Sequence, residues 1–236
     1  MRVEIWSDIV CPWCYIGKRR FERALASFGH ADSVAVSYRS FELDAAAPAS
    51  RGGSHAEHLA RKYAMSIEQA GQLDQQMTER AAAEGLEFNF DVMRGGNTFD
   101  AHRLLHLAKE RGLQVEMKER LMHAAFTDGL PIADRPTLAD LAAEVGVPAD
   151  DARDALEGDA YASAVRGDEE QAAQYGIAGV PFYVANGKFA VSGAQPTEMF
   201  QQLLHRAYEE SDPLTLVSSA GSDAECEGDS SPPNSV

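Results

Sequence analysis

Two cysteines separated by a proline and a tryptophan, Cys11-Pro12-Trp13-Cys14, lie near the start of a chain whose other cysteine is Cys226. Such a pair serves as a reversible disulfide, as half of a metal site, or as two small apolar side chains without chemistry. The flanking residues bear on the choice. "RVEIWS" alternates like a short strand, and "CPWCYIGKRRFERALASFG" then takes helical spacing, with Trp13 or Cys14, Phe21, Leu25 and Phe28 on one face and Gly29 as its stop. Cys11 therefore precedes a helix, where unpaired amides and about half a positive charge favour thiolate over thiol. Lowering a thiol by one pKa unit takes only about 1.4 kcal/mol. Cys11 is the expected nucleophile. Pro12 suits the first turn, where its missing N–H would have had no helical partner. Cys14, one turn inward, is the expected resolving thiol for a mixed disulfide on Cys11. Trp13 offers an apolar face beside the sulfur, either to substrate or to ordinary packing.

Other chemistry-bearing residues are weighed against the same pair. A structural zinc site needs four ligands, usually two close pairs, and Cys226 alone supplies no second pair. His102 and His106, at i and i+4, could take a metal together with Asp100, but hydrogen bonding near a cleft is the simpler expectation, so no metal is expected. Asp8, three residues before Cys11, would oppose thiolate formation or accept its proton through water. A strand-end hydrogen bond to backbone is its expected role. Lys18, Arg19 and Arg20 are expected to form a solvated helix face. Pro181 in "GIAGVPFYV" opens an apolar strand and, lacking a ladder donor, belongs at an edge or a strand start.

The elements that must position these residues follow from the remaining pattern. "SVAVSYRSFEL" reads as a second strand through Val34, Val36 and Tyr38, giving a strand, helix, strand unit with the cysteines at its first turn. From about residue 50 the spacing is helical for more than a hundred residues. Ser54 with Glu57 and Ser66 with Gln69 have capping-box spacing. "NTFDAHRLLHLAKERG", "EMKERLMHAAFTDG", "TLADLAAEVG", "PADDARDALEG" and "YASAVRGDEEQAAQYG" are further helical runs, each closed by glycine. "VPFYVANGKFAVSGA" is a hairpin about Asn186-Gly187. "PTEMFQQLLHRAYEE" is an amphipathic helix through Met199, Phe200, Leu203, Leu204 and Tyr208, and the Ser-, Gly-, Pro- and acid-rich end is expected to be disordered.

Composition excludes several partners. The 236 residues carry 37 acidic against 21 basic side chains, a net charge of −16 that repels nucleic acid and anionic membrane surfaces. No run approaches the 18 apolar residues of a membrane span, and "MRVEIWSDIV" lacks a signal peptide's apolar stretch. The expected location is cytoplasmic, where thiols are kept reduced and a close cysteine pair is catalytic or metal-binding more often than structural.

A CxxC at a strand-to-helix turn, a helical insertion and "GVPF" leading into a hairpin resemble the DsbA-like branch of the thioredoxin superfamily. "SDIVCPWCYIGKRRFE" and "NTFDAHRLLHLA" resemble its FrnE-type members, over roughly residues 1 to 210. The resemblance implies an α/β, thioredoxin-like fold with a large all-helical insertion. A discontinuous thioredoxin-like domain would span 1–49 and 176–210, a helical insertion domain 50–175, and an acidic tail 211–236. It also implies a cis Pro181 against the redox cysteines, with the Val180 backbone presented to an extended substrate. Some FrnE-type proteins carry a second cysteine pair near the C-terminus; here Cys226 stands alone, and no role is expected for it. The implied function is thiol-disulfide exchange, as oxidoreductase or disulfide isomerase, with no cofactor beyond the redox-active disulfide and with a dithiol or disulfide, protein or small molecule, as partner. Two alternatives stay open. One is a glutathione-dependent isomerase or transferase of the kappa or 2-hydroxychromene-2-carboxylate isomerase kind, with glutathione as co-substrate and no need of a CxxC. The other is a non-catalytic polyketide- or peptide-binding module whose cleft Phe99, Met122, Phe126 and Phe182 could line.

Overall fold

The structure, a computed structural model, describes residues 1–210; the expected disordered tail and Cys226 lie outside the described residues. Four strands form one sheet in the order β2-β1-β3-β4, with β1 at Arg2–Ser7, β2 at Ala35–Ser40, β3 at Phe182–Ala185 and β4 at Phe189–Ser192. Parallel pairing of β1 with β2 requires a crossover, which helix α1 (Pro12–Ala26) supplies. β3 and β4 are antiparallel to their neighbours and joined by a tight turn. Asn186 (φ 52°) and Gly187 (φ 68°) both take left-handed backbone in that turn, the conformation an Asn-Gly hairpin supplies at least cost.

Between β2 and β3 the chain is helical: α2 (His55–Tyr63), α3 (Ile67–Ala82), α4 (Phe99–Glu110), α5 (Gln114–His123) continuing into a π-helical turn at 124–128, α6 (Arg135–Glu144), α7 (Ala149–Glu157) and α8 (Ala162–Gln174). Both capping boxes form: Ser54 and Glu57, like Ser66 and Gln69, satisfy each other's first amides. Helix α9 (Thr197–Glu209) follows the hairpin and packs beside α1.

The alternation of β1 is buried on both faces. Val3 and Ile5 meet Phe21, Tyr183, Phe200 and Leu204 under α1 and α9, whereas Trp6 meets Ala172 and Ile177 on the α8 side. A larger core joins Leu104, Met117, Leu121, Phe126, Leu138 and Leu141 of the helical segment to Cys14, Tyr15 and Ile16 of α1. Helix α1 thus belongs to two cores at once. Burying each such large side chain contributes roughly 1.5–3 kcal/mol, so the turn that carries Cys11 and Cys14 is anchored from both sides.

Three local expectations are corrected. Helix α1 ends at Ala26 instead of Gly29, because the Ser27 hydroxyl donates to the Ala24 carbonyl (2.9 Å) and satisfies a terminal acceptor there. Phe28 remains buried beyond the helix end. Met199 is exposed on the first turn of α9, while Phe200, Leu203 and Leu204 supply the apolar face. Among the described residues no helix is long and apolar enough to cross a membrane.

Candidate active site

Strand β1 delivers its chain to residues 8–10 and then to Cys11, the N-cap of α1 with extended backbone (φ −94°, ψ 111°). The Cys14 amide donates to Cys11 Sγ (3.3 Å), the contact expected of a sulfur at a helix start. Cys11 S–H donates in turn to the Val180 carbonyl (3.7 Å), and the following Val180–Pro181 bond is cis. Both thiols are free and buried. Gly17 permits this approach of the 180–181 segment to α1. A Cβ on it would lie 2.6 Å from the Tyr183 hydroxyl and 3.1 Å from Pro181 Cγ.

The electrostatics of the reduced pair differ from the expectation of a thiolate-favouring helix start. The hydrogen bond shared with Cys14, burial and the Cys14 charge push the Cys11 thiol well above the usual cysteine range, and Asp8 adds to the rise; the Cys14 amide opposes it. A second negative sulfur is costly beside the first. One thiolate at a time is what this site accommodates.

Asp8 takes the expected backbone bonds, accepting from the Ile9 amide (2.7 Å) and the Leu43 amide (2.8 Å), and also pairs with His102 Nε2 (3.2 Å). Burial raises its carboxyl, but the His102 hydrogen bond and charge, the Leu43 amide and Lys118 hold it below its ordinary value. His106 turns to a different carboxylate, Asp168 (3.1 Å), and to Ser40 (3.2 Å), while Asp100 is held by Arg103 (2.7 Å) and Arg135 (2.8 Å). The two histidines thus serve separate pairs. Among the described residues no three His, Cys, Asp or Glu side chains gather as a metal cluster.

The cationic run after the CxxC is not a solvated face. Lys18 is buried, with Glu22 and Glu119 each 2.5 Å from its ammonium. Arg19 reaches the same two carboxylates, and the Tyr15 hydroxyl donates to Glu119 (2.6 Å). Burial would raise Glu119, but the hydrogen bonds and charges of Arg19 and Lys18, with the Tyr15 bond, bring it down to about 2. Arg20 is taken by Glu84 (2.6 Å) and the Ala194 carbonyl (2.7 Å). Glu119 of α5 covers Lys18 and Arg19, and Glu84, just past the end of α3, covers Arg20. Lys118, next to Glu119 within α5, is the group sequence reasoning missed. Its ammonium is fully buried, donates to the Ser7 carbonyl (3.2 Å) and stands 5.6 Å from the Tyr38 ring centre. Burial pushes it down to about 8 against the opposing charges of Cys14, Asp8 and Cys11. A signal existed, because Lys118 heads an apolar stripe through Leu121, Met122 and Ala125 at i+3, i+4 and i+7.

A cavity of about 840 Å³ opens beside Cys11, Pro12, Trp13 and Val180 and runs between α2 and α3. Trp13 is 37% exposed at its mouth, with Arg80 5.3 Å above the ring centre. Leu59, Leu73, Met77, Phe90 and Met93 give the cavity its apolar wall. Phe99, Met122, Phe126 and Phe182 do not line it. Met122 and Phe126 are in the helical core, Phe182 packs on the cluster around Trp6, and Phe99 lies under Arg166.

Comparison with known proteins agrees with this architecture. The DSBA-like thioredoxin domain family matches residues 2–205, and the chain belongs to that family. It is 28% identical to the Bacillus subtilis (strain 168) protein YwbO over 206 residues, covering 86% of this chain and 96% of that one. The crystal structure of a probable DsbA oxidoreductase from Streptomyces coelicolor is similar at 47% identity and a TM-score of 0.86, over 93% of this chain and 94% of the other. A cytosolic disulfide reductase from Pseudomonas aeruginosa, DsbM, shares the fold at 18% identity and a TM-score of 0.59, over 89% of this chain and all of that one.

Proposed function

We propose that this member of the DSBA-like thioredoxin domain family exchanges disulfides through Cys11 and Cys14, with no cofactor beyond that pair. The observation that carries the reading is the geometry at Cys11 Sγ, which faces the Cys14 amide at 3.3 Å and the Val180 carbonyl at 3.7 Å at the mouth of a cavity. Cys11, as thiolate, attacks one sulfur of a substrate disulfide and forms a mixed disulfide, and the other substrate sulfur leaves as a thiolate. Cys14 then attacks Cys11 Sγ, releases the second thiol and leaves a Cys11–Cys14 disulfide. The same steps in reverse oxidise a substrate dithiol. Pro12 and Trp13 shape the first turn and its exposed edge, and Val180 with Pro181 forms the backbone rim along which an extended substrate lies. The partner is a dithiol or disulfide. We place this work in the cytoplasm, whose thiol pool keeps such a pair reduced.

Insulin reduction in dithiothreitol tests the assignment. Wild type turns over, Cys11→Ser does not, and Cys14→Ser accumulates a mixed disulfide visible on non-reducing gels. Equal activity in all three proteins would sink the exchange mechanism and move the reading to glutathione-dependent chemistry that needs no second cysteine.

A further inference from the structure

We propose that the cavity beside Cys11 selects small disulfides bearing carboxylates, through a cationic lining made of Arg61 and Lys62 on α2 and Arg80 on α3. The inference rests on the exchange reading above and names the substrate class for the same site. The chain carries a net charge of −16, so carboxylates for pairing are abundant. The three that border the cavity are engaged: Asp8 by His102, Asp44 by Arg51 and Asp74 by His55. Arg61, Lys62 and Arg80, on the same lining, have no carboxylate partner among the described residues. Arg61 donates to His58 Nδ1 (2.8 Å), Lys62 stands 5.6 Å from the Tyr63 ring centre, and Arg80 covers Trp13. The bond from Arg61 places the His58 proton on Nε2, a buried donor with no partner, on the same side of the cavity.

A protein with so large an acidic excess that leaves three cations unanswered around one cavity has built a local positive field inside a negative one. Anions are drawn to that lining. The cavity's volume of about 840 Å³ lies in the range of small-molecule sites, and its Leu59, Leu73, Met77 and Phe90 surfaces suit the aliphatic part of such a ligand. Trp13 and Arg80 stand at the end nearest Cys11, so a ligand carboxylate held by Arg80 keeps the disulfide of the same ligand near Cys11. The step is a balanced two-electron exchange. Two S–H bonds are lost from Cys11 and Cys14, two are gained by the product thiols, the substrate S–S bond is reduced, and a protein S–S bond forms. A dithiol restores the reduced protein.

Single-turnover rates of the reduced protein with three small disulfides decide the matter: glutathione disulfide, which is anionic, 2-hydroxyethyl disulfide, which is neutral, and cystamine, which is cationic. Comparing Arg61→Glu/Lys62→Glu/Arg80→Glu with wild type cancels the disulfides' intrinsic reactivities. All three side chains are exposed, so reversal leaves the cores untouched. The ratio of glutathione disulfide to hydroxyethyl disulfide rates should fall about tenfold or more at low ionic strength, and the cystamine ratio should rise. The corresponding Gln triple variant should fall between, and added salt should compress every ratio. Unchanged ratios, or a change confined to insulin as substrate, would overturn the proposal, the latter assigning the lining to polypeptides. If wild type reduces none of the disulfides, insulin included, the exchange reading itself falls.

Discussion

A lysine ammonium held out of water costs free energy unless charge nearby answers it, and Lys118 has only the Ser7 carbonyl as a neutral partner. The answering charges are those of Cys14, Asp8 and Cys11, which makes Lys118 a counter-charge to the dithiol. Removing it in Lys118→Met should disfavour a thiolate on the reduced pair and, at alkaline pH where one forms, move the Cys11/Cys14 potential to more negative values by roughly 30 mV per 1.4 kcal/mol of lost interaction. Equilibration in thiol redox buffers measures this, and a positive shift would contradict it. The stability effect has its own sign. Burial lowers Lys118 from 10.5 to about 8, so between about pH 8 and 10.5 the unfolded chain binds a proton that the folded one does not. Stability from this group therefore rises with pH through that window, and any advantage of Lys118→Met at pH 7.5 should shrink by pH 9.5 in urea titrations. The meeting of Cys11 and Cys14 at the start of α1 was legible from their spacing alone. Lys118 and the Lys18–Glu119 pair were not, because their roles depend on which helix covers which.

At the scale of elements, signals that act within a few residues were readable and those that act across the chain were not. The Ser54 and Ser66 capping boxes and the Asn186-Gly187 hairpin are satisfied by neighbours in sequence. The end of α1 is an exception, local yet missed, because the Ser27 hydroxyl reaches back only to Ala24, whereas the solvent side of Met199 depends on how α9 lies against α1. The order of α2 to α8 around the cavity has no local signature at all, which is why the expected lining residues proved to be core. Gly17 shows how one long-range contact overrides local propensity. Alanine is favoured over glycine inside a helix by about 1 kcal/mol. At Gly17, however, the new methyl would meet Tyr183 Oη at 2.6 Å and Pro181 Cγ at 3.1 Å, backed by β3. Overpacking of this kind costs roughly 1–3 kcal/mol, so Gly17→Ala should destabilise and, by moving the 180–181 rim away from Cys11, slow disulfide exchange. Gly71→Ala in α3 has nothing within 4 Å and should stabilise by up to about 1 kcal/mol without slowing exchange. If both substitutions behave alike, the close packing of the rim on α1 is not what Gly17 serves.

For the whole molecule, what matters is how the helical segment is fastened to the sheet, and three carboxylates do much of it. Asp8 ties the redox turn to His102 of α4, Glu119 ties α5 to Lys18 and Arg19 of α1, and Asp168 ties α8 to β2. Asp168 accepts from Arg39 (2.7 Å) and the Ser40 amide (2.9 Å) and pairs with His106, while its own carbonyl accepts from Trp6 Nε1 (2.9 Å). Burial raises each of the three carboxyls, and their partners more than reverse it, leaving all three below the ordinary range and Glu119 at about 2. Two opposite effects follow on acidification. Protonating exposed carboxylates relieves the self-repulsion of a chain at −16, which stabilises. Protonating the three ties destabilises, because below the ordinary carboxylate values the unfolded chain takes up protons that the folded one still refuses. At 0.15 M salt, repulsion between exposed charges is screened beyond about 8 Å while buried pairs are screened far less, so the second effect wins. Stability should therefore fall from about pH 4.5 toward pH 2. Asp168→Asn weakens one tie while Arg39 keeps Glu4 and His106 keeps Ser40, so the loss at pH 7 should be about 1.5–3 kcal/mol, the range for hydrogen bonds to a charged group. Since Asn cannot titrate, that variant should also lose less stability than wild type between pH 7 and pH 3. Urea titrations at both pH values measure the two losses. Equal losses on acidification in wild type and Asp168→Asn would mean that Asp168 is not one of the ties that acid breaks.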